Sequence, residues 1–433
     1  MRRWACSSAA ALAVACVACG TTTGSQPSAQ VLRIGVDLPL TGHEARAAVP
    51  ALNGIRFFVQ THPTLDGFQV VLVTSDDARA GSPNPSLGVS DVEAFIGDSS
   101  VVAMIGPFDA MVARNEIPVA NAAGLAMVSP ATSNPCLTKD VYIPILLNPA
   151  RTVITCRDAG LPAASELRPQ RNNNFFRLTT TDELQGAAAA DYAFEKLHIQ
   201  RAAVISDHEV YGQGLADAFS ARLTNLGGSV LGHIDLEPTK TDATGFLQGM
   251  KDAGARAIYY GGTSKGCGIR YQMRALFPTG EQTPFLGGDG IAHDPACVNL
   301  AADNSPGIYA TVPFVDATTR PAAAAIIRNF KVAHGASADY GPYTLVAYDA
   351  TAILYAALDH AIRDAGGKRP ARAAVTAALA QTSNLAGTTG DLGFDAAGDT
   401  TNRVVSIFEA TGADPRAAWK LVDRVDYSSR LPY

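Results

Sequence analysis

The sequence predicts an α/β fold in which short buried strands alternate with helices and form doubly wound parallel sheets. Apolar runs such as VLRIGVDLPL (31–40) alternate with segments of helical spacing such as ALNGIRFFVQTH (51–62). Gly, Pro, Ser or Asp follows most of the apolar runs, as expected where strands end in turns. Hydrophobic residues make up 47% of the 433 residues and charged residues 17%, so the chain can form two domains with substantial cores.

The N-terminus has the features of an export signal. Residues 1–18, MRRWACSSAAALAVACVA, start with two arginines and continue with an apolar stretch that lacks acidic residues. Cys19 and Gly20 follow, as at the cleavage site of a bacterial lipoprotein, and this predicts lipidation of Cys19. Cys16 is a second candidate, and an ordinary secretory signal is the alternative. The apolar run is shorter than the ~20 residues that span a bilayer as a helix.

The predicted consequence is an exported protein held by lipid at the outer face of the cytoplasmic membrane. Residues 19–30, rich in Thr, Ser and Gly, are predicted to be a flexible tether. We expect no membrane span after the signal, because no second long apolar run is evident.

The remaining elements continue the β–α alternation in two units. Strands are predicted at 68–77, 101–108, 125–132, 202–207, 229–236, 257–262, 284–290 and 307–314. Helices are predicted at 90–98, 115–124, 183–197, 214–227, 243–254, 268–277, 321–334, 343–365 and 370–381. Between the two units, 137–175 is irregular and is predicted to be a surface excursion pinned by a disulfide. Strand-like pieces follow in the tail.

Four cysteines remain in the exported part: Cys136, Cys156, Cys267 and Cys297. Three pairings are possible, and sequence proximity favours Cys136–Cys156 and Cys267–Cys297. A zinc site is the competing interpretation. It is disfavoured because the chain has no CxxC spacing and no nearby pair of histidines.

Charge and motifs exclude several classes of function. Removing Arg2 and Arg3 with the signal changes the formal charge from −6 to −8, which argues against nucleic acid and anionic lipid as partners. Standard catalytic and phosphate-binding motifs are missing, and the eight histidines are scattered. Asp76 and Asp77 could form a metal or acid–base pair, but adjacent aspartates point in different directions, and one is predicted to cap the next helix. We expect no cofactor, no metal and no catalysis.

Ligands of open parallel sheets bind beyond the carboxyl ends of the strands. Each predicted strand end also starts a helix, so free backbone N–H groups are expected there, an arrangement that suits a carboxylate. The segments concerned are 39–42, 76–77, 106–110, 129–133, 207–211, 261–264 and 287–290.

The order of these motifs resembles the leucine/isoleucine/valine-binding proteins, which have the type I periplasmic-binding fold and supply ABC importers. The resemblance covers about residues 31–400 and rests on IGVDLPLTG (34–42), AMIGPF (103–108), AMVSPATSNPCLT (126–138), NFFRLTTTDELQG (174–186), VISDHEVYGQGLADAF (204–219), IYYGG (258–262) and FLGGDG (285–290).

The resemblance implies two lobes that close on a ligand about a three-strand hinge. Lobe 1 would comprise 31–178 plus 313–386, and lobe 2 would comprise 179–312 plus 387–433. The chain would cross between the lobes near 177–180, 310–313 and 387–390.

The resemblance also implies a set of ligand-binding residues. The Ala131 backbone and the Ser133 hydroxyl would hold the α-carboxylate and α-ammonium of an amino acid. Asp182 would lie beside the hinge, Tyr211 would close over the ligand, and Asp289 would pair with its ammonium.

Three positions depart from the family pattern. Asp109 and Ala110 stand where a serine usually contacts the ligand carboxylate, and Thr263 and Ser264 stand where a tyrosine is usual. The first loop, TGHEARAAV (41–49), lacks the usual aromatic residue. These departures predict weaker leucine binding, and a ligand that is another amino acid, an amide or another small polar solute.

The function predicted from the resemblance is that of a solute-binding lipoprotein that delivers its ligand to an ABC permease and its ATPase. The alternative is a ligand-sensing lipoprotein of the same fold that signals to a membrane receptor. An exported α/β hydrolase is a third class, disfavoured because no nucleophile–base pair is evident.

Overall fold

The computed structural model describes residues 30–144, 153–237, 240–277, 283–335, 339–412, 419–429 and 431–433. The signal segment 1–18, both candidate lipidation sites Cys16 and Cys19, and the predicted tether up to residue 29 lie outside these ranges. The described residues form two main sheets covered by helices.

The strands are β1 (Gln30–Leu38), β2 (Thr64–Leu65), β3 (Phe68–Asp76), β4 (Ala78–Arg79), β5 (Ser82–Pro83), β6 (Val101–Ile105), β7 (Ala126–Ser129), β8 (Val141–Ile143), β9 (Ile154–Thr155), β10 (Phe175–Arg177), β11 (Arg201–Ser206), β12 (Ser229–Asp235), β13 (Ala257–Gly261), β14 (Phe285–Gly287), β15 (Ile308–Val312), β16 (Leu385–Ala386), β17 (Asp391–Leu392), β18 (Val404–Ala410) and β19 (Trp419–Asp426). The α-helices are α1 (Ala45–Thr61), α2 (Pro85–Gly97), α3 (Ala110–Ala122), α4 (Asp182–Glu195), α5 (Val210–Asn225), α6 (Thr244–Asp252), α7 (Gly268–Leu276), α8 (Pro295–Ala301), α9 (Pro321–His334), α10 (Tyr343–Asp364) and α11 (Arg372–Ala380).

The first sheet is built from strands that precede β11 in the chain, and the second is built from β11 and strands that follow it. The first has the order β10-β7-β6-β1-β3-β2 and is parallel except for the short β2. The second has the order β12-β11-β13-β14-β15-β18-β19 and is parallel as far as β15. In each sheet the chain adds its next strand on one side of the first strand, β1 or β11, and later strands on the other side. Ligand crevices are expected at such switch points, at the carboxyl ends of β1 and β11.

The predicted α/β class with two doubly wound sheets is confirmed, with one difference at the C-terminus. The strand-like tail forms β18 and β19; β18 pairs antiparallel with β15, and β19 pairs antiparallel with β18. The second sheet is therefore mixed, because β18 and β19 follow each other in sequence and need no helical crossover.

Helix α10 corrects the expectation that no second long apolar run exists. By length and hydropathy it could cross a membrane, but 72% of its most apolar window is buried inside the protein. It packs along α1 and against the first sheet, and α11 packs against β6 and β7. These contacts explain its composition, since a helix buried on most sides carries apolar residues all round.

The segment predicted as a surface excursion is partly a packing element. Its β8 and β9 form a small hairpin that contacts α5 of the second unit. Cys136, Tyr142, Ile143 and Cys156 form a buried cluster with Ala218 of α5. The irregular composition of the segment hid this role, because its apolar residues have neither strand nor helix periodicity.

Two disulfides join the cysteines that are closest in sequence. Cys136 is bonded to Cys156, and Cys267 is bonded to Cys297. The first fixes the base of the β8–β9 hairpin, and the second joins the turn after β13 to α8.

Arg177, at the end of β10, is wholly buried where the chain leaves the first sheet. Its Nε donates to Asp399 Oδ1 at 2.7 Å, and its Nη1 donates to the Asn134 carbonyl at 2.7 Å. Lys139 Nζ lies 2.9 Å from Asp399 Oδ2. Although burial acts in the opposite direction, Arg177 and Lys139 hold the pKa of Asp399 well below its usual range.

Asp399→Asn should lower the free energy of unfolding by about 3–5 kcal/mol at pH 7, because it leaves Arg177 buried without its counter-charge. Urea denaturation measures this loss. Asp303→Asn is the matched control, since the Arg274–Asp303 pair is exposed and its loss should cost under about 1 kcal/mol. Equal effects of the two substitutions would show that the buried pair does not stabilise the fold.

Candidate functional site

A cavity of about 440 Å³ lies between the carboxyl ends of the two main sheets. We call it the interlobe cleft. Its walls come from the ends of β6 and β7, the loop before α1 and the start of α10 on one side, and from the ends of β11, β13 and β14 on the other. The volume is in the range of small-molecule sites.

Asp289 is the focus of hydrogen bonding in the interlobe cleft. Its Oδ1 accepts bonds from Gln185 Nε2 and from the Tyr211 hydroxyl, each at 2.7 Å. Its Oδ2 accepts a bond from the Tyr343 hydroxyl. Donors from both sides of the cleft therefore converge on this carboxylate and fix its position.

Tyr211 lies in the first turn of α5 and makes two hydrogen bonds. Its hydroxyl donates to Asp289 and accepts a bond from the Gly290 backbone N–H at 2.9 Å. Burial, and then the charge of Asp289, raises the pKa of Tyr211 well above its usual value. The hydroxyl therefore stays protonated and remains a donor.

Tyr343 is a cleft residue that sequence reasoning does not find. It begins α10, and its ring packs edge-on against Phe108 (4.9 Å between centroids) and Phe314 (5.2 Å). Gln185, in the same TDELQG segment as Asp182, is also not predicted; it is buried behind the cleft and holds Asp289 from there. Tyr343 could have been noticed because it follows Pro342 at the start of a long helix. A search for site residues that considers only the ends of strands does not include it.

The turn that contains Ala131 and Ser133 lines the cleft, and the amides of Ala131 and Thr132 are already bonded. Ser129 Oγ accepts bonds from the N–H groups of Ala131 (3.2 Å) and Thr132 (3.0 Å). The Ser133 carbonyl accepts the Asp182 N–H at 2.9 Å. The Ala131 amide therefore lies at the cleft but donates its hydrogen bond to Ser129 instead of to a ligand.

Asp182 lies behind this turn and does not line the interlobe cleft. It is buried in the first turn of α4, and burial raises its pKa to about 8, with Ser133 acting in the opposite direction and the charges of Asp289 and Glu183 adding to the rise. The structure thus brings Ala131, Ser133, Tyr211 and Asp289 to one cleft and places Asp182 beside it.

Asp109 caps α3 with its side chain. Its Oδ1 accepts bonds from the backbone N–H groups of Met111 (2.8 Å) and Val112 (3.0 Å). On the opposite wall, Asp207 accepts the N–H groups of Glu209 and Thr263. The free amides expected at these strand ends are therefore occupied by the protein's own side chains.

The comparisons with known proteins agree with this architecture. A family model described as periplasmic binding protein matches residues 31–415. The chain belongs to the periplasmic binding protein family. The Leu/Ile/Val-binding protein homolog 3 of Brucella melitensis biotype 1 is 30% identical over 398 residues, which are 91% of this chain and 95% of that protein. The homolog 2 of Brucella abortus strain 2308 is 26% identical over 385 residues, 87% of this chain and 90% of the relative.

Solved structures show the same fold with different ligands. A leucine-binding protein from Thermotoga maritima superposes with a TM-score of 0.73 at 23% identity, covering 92% of this chain and 99% of that one. A solute-binding protein of an ABC transporter from Rhodopseudomonas palustris HaA2, in complex with p-hydroxybenzoic acid, has a TM-score of 0.73 at 16% identity and covers 93% and 99%. The fold of this periplasmic binding protein therefore leaves the ligand open.

A second group of acids lies beneath the cleft of this periplasmic binding protein. Asp37, Asp77 and Glu116 are wholly buried, and each offers an oxygen within 4.8 Å of the others, a set that could hold a metal ion. Apart from neighbouring acids, no group among the described residues donates a hydrogen bond to their carboxylate oxygens. Burial is the main cause that raises the pKa of Asp37 to about 7 and of Asp77 to about 8. With pKa values this high, Asp37 and Asp77 can lose their negative charge by protonation near neutral pH.

Neither Asp76, which ends β3, nor Asp77 caps the next helix, contrary to the sequence prediction. Asn84 caps α2 by accepting the Leu87 N–H at 3.0 Å. Asp76 accepts the N–H groups of Leu40 and Ala78, and Asp77 turns into the buried group. A short β4–β5 hairpin separates these aspartates from α2, which is why they cannot reach its first turn.

Asp77→Asn should stabilise the protein increasingly from pH 5 to pH 8. A carboxyl whose pKa is raised on folding contributes stability below its unfolded value, about 4, and this stability is lost as the pH rises through the folded value. The amide removes that loss, and a gain of roughly 1–3 kcal/mol at pH 8 is expected. Urea denaturation at both pH values measures it, and parallel curves for variant and wild type would contradict the assignment.

Proposed function

We propose that this protein is the extracytoplasmic solute-binding component of an ABC importer. It captures an amino acid or a similar small polar solute that carries an ammonium group in the interlobe cleft, and it delivers that solute to a permease driven by a partner ATPase. The observation that carries the proposal is the Asp289 carboxylate, held in the cleft by Gln185, Tyr211 and Tyr343. The names of the Brucella relatives support the same class of solute.

The contacts around Asp289 suit a clamp that closes on its ligand. Tyr343 reaches Asp289 from the helices on the first sheet, whereas Tyr211 reaches it from the second. At the edge of the cleft, Arg46 Nη1 lies 3.4 Å from the Asp294 carboxylate and joins the same two sides. Closure about the predicted crossings would make or break these contacts together. The lobe boundaries 31–178 plus 313–386 and 179–312 plus 387–433 belong to this proposal.

Ligand binding should be detectable by a thermal-shift screen over amino acids, amides, amines and small organic acids. A ligand at a hundredfold excess over its Kd should raise the stability by about 2.7 kcal/mol. Asp289→Asn should weaken the best amine-bearing ligand about 10–100-fold, since it removes a hydrogen bond to a charged group. Asp303→Asn, on the exposed surface, is the control. Undiminished binding by Asp289→Asn would remove Asp289 from the site.

We also propose that the mature protein begins at lipidated Cys19 and stays at the outer face of the cytoplasmic membrane. The support is the signal-like segment 1–18 and the polar residues after it. A clamp that loads outside the cell gains from a tether, because a linker keeps its concentration near the permease high.

Cys19→Ser should abolish incorporation of labelled lipid and release the protein from the membrane fraction. Cys16→Ser is the matched control, and it should leave labelling and fractionation unchanged. Loss of labelling in Cys16→Ser alone would move the lipid to Cys16, and labelling of neither wild type nor variants would leave an ordinary secretory signal.

A further inference from the structure

Charge is distributed unevenly across the interlobe cleft. Of the described residues, five half-buried carboxylates line it, namely Glu44, Asp109, Asp207, Asp289 and Asp294. The lysines and arginines that line it, Arg46, Lys240 and Lys265, are all exposed. Arg46 is engaged with Asp294, at 3.4 Å. The half-buried part of the lining is therefore acidic on both walls, with Glu44 and Asp109 on the wall of the first sheet and Asp207, Asp289 and Asp294 on the wall of the second.

The donors that would receive a ligand carboxylate are already committed. Asp109 accepts the first free amides of α3, and Ser129 accepts those of Ala131 and Thr132. Ala110 carries no hydroxyl. A carboxylate placed here would meet acidic side chains and few free donors, which is unfavourable in a poorly hydrated cleft.

Glu44 lacks a strong partner among the described residues. It precedes α1, and its side chain makes no capping hydrogen bond. His43 Nε2 lies 3.7 Å from Glu44 Oε1, beyond hydrogen-bond distance. The other ring nitrogen, Nδ1, is 2.7 Å from the Gly81 carbonyl and must donate to it, so the neutral imidazole has no second proton for Glu44. Burial, and then the charge of Asp109, raises the pKa of Glu44 well above its usual value.

We propose that the ligand of the interlobe cleft carries two cationic groups on a short aliphatic chain, as an α,ω-diamine does. One ammonium binds Asp289, and the second binds between Glu44 and Asp109. This inference rests on the proposed function and specifies its solute. Apolar side chains of the lining, Phe108, Ile269 and Ala292 among them, suit the methylene chain between the charges.

Binding of three probes separates one charge from two. Isothermal titration calorimetry with 1,4-diaminobutane, butylamine and L-leucine compares a dication, a monocation of equal chain length and a zwitterion. The diamine should bind about 10–100-fold more tightly than butylamine, the gain expected from a second charge-assisted hydrogen bond. It should also bind more tightly than leucine.

Glu44→Gln locates the second charge. It should weaken 1,4-diaminobutane about tenfold or more and leave butylamine unchanged, because only the diamine reaches Glu44. Glu237→Gln removes an exposed carboxylate at the edge of the cleft and should change neither. This comparison does not depend on the stability of the fold, since one variant is tested with two ligands.

Four results would overturn the inference. Tighter binding of leucine than of the diamine would do so while leaving the proposed function intact. Equal affinity of diamine and butylamine, or an equal effect of Glu44→Gln on the two affinities, would also overturn the inference and leave the proposed function intact. Failure of every amine and amino acid to bind would overturn the inference and the proposed function together.

Discussion

The buried ion pair between Arg177 and Asp399 is the contact on which the geometry of the cleft depends. Arg177 ends β10, and Asp399 lies in the segment that returns to the second sheet. The same guanidinium donates to the carbonyls of Thr132 and Asn134, on either side of Ser133. The buried guanidinium of Arg177 therefore joins the turn of the candidate site to the end of β10 and to the segment that contains Asp399. Removing its counter-charge would cost far more than removing an exposed pair.

Acids on both sides of the cleft act on one another through their charges. The charges of Asp109, Asp77 and Asp289 all raise the pKa of Glu44, in addition to burial. The buried group of Asp37, Asp77 and Glu116 and the lining of the cleft thus form one electrostatic neighbourhood. A cation in the cleft would stabilise the ionised form of its nearest acids, whereas an anion would add to their repulsion.

Much of the fold follows from local sequence, and so does part of the site. The strand starts agree to within about one residue because buried parallel strands are continuous apolar runs, as at Val101. Several ends are predicted about three residues too late, as for 101–108 against Val101–Ile105. The starts of α2 and α3 are predicted five residues too late, because Asn84 and Asp109 act as caps that precede the apolar periodicity. The starts of α7, α9 and α10 are predicted correctly. Asp289 and Tyr211 are each predicted from a motif. Their hydrogen bond, and the bonds from Gln185 and Tyr343, join residues 54 to 104 positions apart, so no local pattern predicts them. The bond from Tyr343 also requires that the two sides of the cleft come together.

The most direct test of the account is a crystal structure of the protein grown with 1,4-diaminobutane and L-leucine at equal concentration. The account predicts the diamine in the interlobe cleft, with one nitrogen about 3 Å from the Asp289 carboxylate and the other between Glu44 and Asp109. Leucine bound with its carboxylate on the Ala131 amide, and with Asp109 turned away from α3, would contradict it.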